Sequence, residues 1–254
     1  MCGRFAVTTD PALLAEKIKA IDEATGASET GAGPNFNVAP TTTIATVVTR
    51  HNEPDDEATR RVRLMRWGLL PPWVKAGPDG APDTKGPLLI NARADKVATS
   101  PAFRNSAKSK RCLVPMDGWY EWRGSLDGPK GKKGGKTPFF MHRADGGLVC
   151  MAGLWSVWKP HKEADPLLSC TIITTDAVGE LAGIHDRMPL MLGEADWDAW
   201  LNPDAPLDQE LLSRPPDVSG IEMRQVSTLV NSVRNNGPEL LEPAEAEPEQ
   251  ITLL

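Results

Sequence analysis

The chain has 254 residues, 40% of them hydrophobic and 24% charged, with a net charge of −6. That length suits one large domain or two small ones with a real core, and no run approaches the roughly 18 apolar residues of a membrane helix. The opening Met1-Cys2-Gly3-Arg4-Phe5 lacks the basic-then-apolar layout of a signal peptide, so a cytosolic protein is expected.

Asp10-Pro11 supplies an N-cap and a proline for the first helical turn. Leu13, Leu14, Ile18 and Ile21 follow at helical spacing. Thr43–Arg50, Arg61–Trp67, Leu88–Asn91, Arg111–Met116 and Trp119–Arg123 are expected as strands. So are Phe139–Arg143, Leu148–Trp158 and Leu168–Thr175. Glu194–Leu201 reads as a helix, with Trp197 and Trp200 one turn apart. Strands without regular helical crossovers predict an α+β fold of largely antiparallel, twisted, barrel-like sheets with short peripheral helices. Thr25–Pro34, His51–Thr59, Lys75–Gly86 and Gly124–Lys136 read as surface loops, the last rich in glycine and lysine.

From Pro238 the chain carries Glu239, Glu242, Glu245, Glu247 and Glu249 and no base. Residues 1–237 are therefore expected to form a single domain, and 238–254 an acidic, disordered tail. The tail accounts for most of the net charge, which leaves room for a basic surface elsewhere. Arg93, Lys96, Arg104, Lys108, Lys110 and Arg111 form such a stretch, a phosphate track or a solvated charged face.

The four cysteines, Cys2, Cys112, Cys150 and Cys170, form no C-x-x-C pair and no cluster with zinc spacing. No metal and no cofactor is expected. Cys150 and Cys170 lie in apolar runs and read as small core residues; nothing local suggests that Cys2 is buried. Removal of Met1 would give Cys2 a free α-amine beside its thiol. An α-amine has a pKa of about 8, against about 10.4 for lysine, so part of it is neutral and nucleophilic at neutral pH. It can condense with an aldehyde to an imine, and the neighbouring thiol can close a five-membered thiazolidine at high effective molarity. A small second residue with no function is the plain alternative.

Trp119-Tyr120-Glu121-Trp122 sets a carboxyl among aromatics, which raises its pKa and suits it to proton transfer. Strand alternation puts Trp119 and Glu121 on one face and Tyr120 and Trp122 on the other. A surface Glu between core aromatics is the competing reading. His185 lies after a short predicted helix and before a strand, a junction that presents side chains to clefts. Asn91 closes an apolar run and either caps a following helix or enters a site. Trp67 and Trp73 bracket a stiff Gly-Leu-Leu-Pro-Pro loop, and Asn35–Pro40 is a second stiff segment; such aromatics and prolines suit stacking on bases, with core burial expected for Trp67 before Trp73.

Taken in order, Met-Cys-Gly-Arg-Phe at 1–5, Asn-Val-Ala-Pro at 37–40, Trp-Gly at 67–68 and Ile-Asn-Ala-Arg at 90–93 resemble the SOS response-associated peptidase family of abasic-site processing proteins. Asp-Gly-Trp-Tyr-Glu-Trp at 117–122, Ile-His-Asp-Arg-Met-Pro at 184–189, Val226-Ser227 and Asn235 continue the match over nearly the whole chain. The resemblance implies a soluble, DNA-associated monomer whose partner is single-stranded DNA with abasic sites, also at junctions with duplex. It implies that mature Cys2 forms a thiazolidine crosslink with the ring-opened sugar, after removal of Met1 by self-cleavage or by an aminopeptidase. An AP-lyase activity is also compatible with it. Glu121 would shuttle protons, His185 would help open the sugar and reverse the link, and Asn91 would position Cys2 or the sugar. Arg4, Arg93 and Arg187 would hold phosphates, with Thr174 nearby; Trp73, Asn37 and Pro40 would shape a cleft for a kinked strand. The segment Val230–Asn235 departs from the family pattern, and the loops at 51–60, 75–86 and 124–136 are longer than in compact members. The competing functions are an N-terminal-nucleophile amidohydrolase, a thiol peptidase acting on other proteins, and a single-strand binding module without chemistry.

Overall fold

The structure, a computed structural model, describes residues 2–26, 33–124 and 135–244. Its strands are β1 (Arg4–Val7), β2 (Ile21–Asp22), β3 (Asn35–Val38), β4 (Thr43–Arg50), β5 (Thr59–Trp67), β6 (Asn91–Arg93) and β7 (Arg111–Met116). They continue with β8 (Gly118–Gly124), β9 (Lys136–Arg143), β10 (Val149–Trp158), β11 (Leu167–Asp176), β12 (Arg187–Pro189) and β13 (Ile221–Gln225). Four short α-helices accompany them: α1 (Pro11–Lys17), α2 (Arg104–Ser109), α3 (Glu194–Leu201) and α4 (Gln209–Ser213). The expected α+β class with largely antiparallel, barrel-like sheets is what the chain adopts.

The strands form two sheets, one in the order β13-β9-β8-β1-β3, the other β12-β11-β10-β7-β4-β5-β2 with β6 added to β11. A parallel pairing, Ser169 with Arg66 and Cys170 with Trp67, joins β11 back to β5. The path β5-β4-β7-β10-β11 therefore closes into a barrel, which leaves those strands without free edges. Alternation then divides their side chains between two cores. Leu113, Cys150, Ala152 and Leu154 pack with Leu14, Ala107, Trp200 and Leu211 of the helices. Cys112, Val114, Met116 and Met151 pack with Phe5, Trp119 and Met141 of the five-stranded sheet. Burial on both faces is why these strands read as nearly continuous apolar runs.

Several local expectations change. The first helix ends at Lys17, and Lys19 turns the chain with φ 52°, so Ile21 begins a strand. Leu13 and Ile21 are left 46% and 49% exposed, outside the core. Leu88–Ile90 is not a strand; the strand starts at Asn91, whose backbone pairs in parallel with Ile172, so Asn91 caps no helix. Gly124 and Lys136 are not loop residues but face one another at the end of the β8–β9 ladder; residues 125–134 between them lie outside the described residues. The folded part also runs past residue 237. Pro238–Leu241 forms a 3-10 turn, Leu240 is fully buried, and Ala244 N–H donates to the Gln225 carbonyl at 2.8 Å. The apolar Leu240 seats against Tyr120, Phe140 and Val230, which holds this stretch despite its acidic composition. Residues 245–254 lie outside the described residues.

Arg111 leaves the expected phosphate track altogether. It is 2% exposed, and its guanidinium donates to the carbonyls of Trp200 at 2.6 Å, Ala107 at 3.0 Å, Lys108 at 2.7 Å and Ala205 at 3.0 Å, and to that of Asn202. A cation among the last carbonyls of α2 and α3 satisfies acceptors that a helix leaves free at its C-terminus.

Candidate active site

β1 runs between β8 and the edge strand β3 of the five-stranded sheet. Its register pairs Arg4 with Tyr120 and Phe5 with Trp119, which carries Cys2 to the level of Glu121 and Trp122. The expectation that Cys2 is not buried fails here: it is fully buried in the core that holds Phe5, Trp67 and Trp119. The reason is long-range pairing, since a strand flanked on both sides takes the residues before it into the core. The Asn91 side-chain amide donates to the Cys2 carbonyl at 2.7 Å. Burial pushes the Cys2 thiol well above its ordinary value, and the negative charge of Glu121 adds to the shift. The thiol is therefore protonated at rest and is no thiolate nucleophile.

Glu121 is 3% exposed. Burial raises its carboxyl to about 7, while the chain's terminal amine and Lys136 pull the other way. Alternation sends Trp119 into the Cys2 core and Tyr120 and Trp122 toward Phe140 and Val230. The Glu121 carboxyl opens into a cleft of about 450 Å³ lined also by Arg4, Trp122, Lys136, His185 and Asn231.

His185 follows the 3-10 turn Gly179–Gly183 and stands just before β12. Its Nδ1 lies 2.7 Å from Asp186 Oδ1 and accepts the Arg187 backbone N–H at 3.0 Å. The two contacts ask for opposite protonation of Nδ1. Burial first, then the positive terminal amine, lowers the imidazole pKa, and Asp186 is 85% exposed and solvated. The neutral ring with Nδ1 accepting is thus favoured, which leaves the proton on Nε2.

Three arginines surround this centre. Arg4 Nη1 donates to Asn37 Oδ1 at 2.7 Å and to the Val230 carbonyl at 3.0 Å. Arg187 donates to Asp176 at 2.6 Å and to the Thr174 carbonyl at 2.6 Å. Arg93 makes a bidentate pair with Asp95 at 2.9 and 3.0 Å. Arg93 and Arg187 flank the end of β11, because Thr174 pairs with Arg93 on one side and Asp176 with Arg187 on the other.

A family model described as SOS response associated peptidase (SRAP) matches residues 1–233. The chain belongs to this family. Abasic site processing protein YoqW of Bacillus subtilis is 39% identical over 246 residues, covering 95% of this chain and 99% of the relative. Abasic site processing protein HMCES of Gallus gallus is 34% identical over 236 residues, 84% of this chain and 67% of that protein. A crystal structure of a Bacteroides thetaiotaomicron protein superposes with a TM-score of 0.78 at 23% identity, covering 96% of this chain and all of the other, and shows the same fold.

This SRAP chain brings Cys2, Asn91, Glu121, His185 and Arg4 together, with Arg187, Thr174 and Arg93 along the adjoining strand ends. Two of the residues expected at the DNA are structural in this state. Asn37 is 4% exposed and spends its amide on the carbonyls of Val230, Ser232 and Asn235. Thr174 is fully buried. Pro40 is half-buried, next to Thr41 with its positive φ of 76°. Trp73 is 54% exposed but lines a separate apolar pocket with Leu70, Val74 and Leu88. That pocket shares no lining residue with the cleft.

Trp122, Lys136 and Asn231 also line the cleft, and nothing local in the sequence marks them as site residues. Trp122 Nε1 donates to Asn231 Oδ1 at 2.7 Å, which ties the 3-10 turn Thr228–Asn231 to β8. The departing segment Val230–Asn235 carries the signal in retrospect, since its backbone carbonyls, not its side chains, hold Arg4 and Asn37. Among the described residues, no three His, Cys, Asp or Glu side chains gather as a metal-binding group, and no helix is long and apolar enough to cross a membrane.

Proposed function

We propose that this SRAP chain processes abasic sites in single-stranded DNA, including sites at junctions with duplex, by covalent capture through Cys2 once Met1 is gone. Met1 itself lies outside the described residues. The observation that carries the reading is the placement of Cys2: its carbonyl is held by Asn91, and its thiol lies within electrostatic reach of Glu121, which lines a cleft with His185.

The chemistry follows from those groups. The neutral α-amine of Cys2 adds to the sugar aldehyde to give a carbinolamine. A protonated Glu121, with its pKa near 7, donates to the departing hydroxyl, and one water leaves as the imine forms. The Cys2 S–H then adds across the C=N bond. Sulfur bonds to carbon, the proton goes to nitrogen, and the thiazolidine closes. A buried, protonated thiol suits this order, since it stays unreactive until an electrophile sits beside it. His185 carries its proton on Nε2 and serves the step before, as an acid or base on the sugar oxygen during ring opening. If Met1 leaves by self-cleavage, Glu121 is the group placed to move that proton as well.

Intact mass spectrometry tests the reading. The adduct of wild-type protein with an abasic oligonucleotide should weigh the sum of the Met1-less protein and the DNA, less one water. An adduct that retains Met1, or one mapped to a lysine, contradicts it.

A further inference from the structure

Every arginine around the cleft is already engaged. Arg4 is held by Asn37 and Val230, Arg93 by Asp95, and Arg187 by Asp176 and Thr174. A phosphate arriving at Arg93 or Arg187 meets a guanidinium whose charge a carboxylate already offsets. Lys136 is different. It lines the cleft with Glu121 and His185, is exposed, and among the described residues makes no ion pair. Its positive charge is felt by both Glu121 and His185.

The sheet fixes where its side chain starts. Lys136 pairs with Gly124 across the β8–β9 ladder, two positions from the Trp122–Pro138 pair, so Lys136 and Trp122 share a face. Gly124 presents no side chain there, and a Cβ built on it would meet nothing within 4 Å among the described residues. The lysine arm thus starts opposite a residue without a side chain and reaches the cleft.

We propose that Lys136 is the phosphate-binding residue of the cleft, pairing with a backbone phosphate that flanks the abasic sugar. An ammonium on a flexible four-carbon stem acts on phosphate as a mobile point charge, without the fixed geometry an arginine fork requires. Binding at Lys136 breaks no ion pair made among the described residues, which favours it as an early protein–phosphate contact as a strand enters. It places one negative charge near Glu121 and His185 and offsets it with one positive charge. This assignment rests on the reading of the cleft as the abasic-DNA site.

The test uses the full-length protein and a single strand carrying a tetrahydrofuran abasic analogue, which has no aldehyde and cannot be captured. Affinity is followed by fluorescence anisotropy over a series of KCl concentrations. Lys136→Gln should lower the magnitude of the log–log salt slope by about 0.7, the value for one lost phosphate contact on a single strand. Lys136→Arg should restore the slope, and Lys159→Gln, outside the cleft lining, should match wild type. A Lys136→Gln slope equal to wild type overturns the assignment. So does a slope that falls equally in Lys136→Arg, since that variant keeps the charge. Should wild type bind this probe yet form no adduct with authentic abasic DNA, the capture reading fails while the result at Lys136 stands.

Discussion

The Asn91 side-chain amide donates to the Cys2 carbonyl at 2.7 Å, while Asn91 Oδ1 is buried with no hydrogen-bond partner among the described residues. The carbonyl can only accept, so this bond fixes which end of the amide faces it. A buried acceptor without a partner costs about 1–3 kcal/mol. The Cys2 amine released by loss of Met1 is a donor of the right kind to satisfy it. Asn91→Ala should slow adduct formation by on the order of 100-fold, the scale of a misplaced nucleophile. Asn91→Asp should also be slow, because a carboxylate faces the Cys2 carbonyl without a donor. Single-turnover gel kinetics at saturating DNA check both. Wild-type rates in Asn91→Ala would show that Asn91 does not position Cys2.

Glu121 gives a pH signature. Its carboxyl is raised by burial from 4.5 to about 7. Between those values the folded state binds the proton and the unfolded state does not, so stability is present at low pH and falls as pH rises through about 7. The loss is on the order of 3 kcal/mol as an upper figure, at about 1.4 kcal/mol per pKa unit. Urea unfolding at pH 5 and pH 8 should show this drop in wild type and a smaller one in Glu121→Gln. Adduct formation should decline above about pH 7 as the acid is lost, and that limb should be missing in the variant. An identical pH dependence of stability in both proteins contradicts the assignment.

Asp176 holds Arg187, and under the proposed function it restrains a cation that would meet DNA. It is 86% exposed and bonds Arg187 at 2.6 Å. An exposed ion pair is worth about 0–1 kcal/mol. Asp176→Asn should therefore tighten binding of an abasic single strand by up to about 5-fold, and Arg187→Ala should weaken it. Equilibrium binding at fixed salt checks the direction. Weaker binding in Asp176→Asn would mean that Arg187 needs its partner in order to meet DNA.

Under the proposed function, His185 serves both directions of one step. His185→Ala should slow crosslinking and slow reversal of a preformed adduct, with little change in the equilibrium yield. Time courses in each direction read this. A changed yield at unchanged rates would make His185 a binding group instead.

Much of this arrangement is legible in the sequence where the cause is local. Glu194–Leu201 follows from the spacing of Trp197 and Trp200, and Thr43–Arg50 from its β-branched run. Cys2, Asn91, Glu121 and His185 stand out in the sequence by chemistry and motif order, and the fold brings them together. What sequence could not show depends on partners far along the chain. β1 is a short strand whose place between β3 and β8 takes Cys2 into the core. Arg111 reads as one more base in a basic stretch until α2 and α3 bring their carbonyls to it. Asn37 reads as a cleft residue, yet the backbone of Val230–Asn235 claims its amide. Lys136 sits at the end of a glycine-lysine run and looks like loop charge until its pairing with Gly124 sets it at the cleft.

Capture of abasic DNA by the amine and thiol of Cys2 together, as proposed, is read most directly on a denaturing gel. Purified wild-type, Cys2→Ala and Cys2→Ser proteins should be incubated with a uracil-containing single strand after uracil excision, then heated in SDS without borohydride and resolved on a denaturing gel. Wild type should give a shifted band that survives heating, Cys2→Ala none, and Cys2→Ser a weaker, heat-labile one, since its oxygen closes a less stable ring. A Cys2→Ala protein that gives the wild-type band would contradict capture by Cys2.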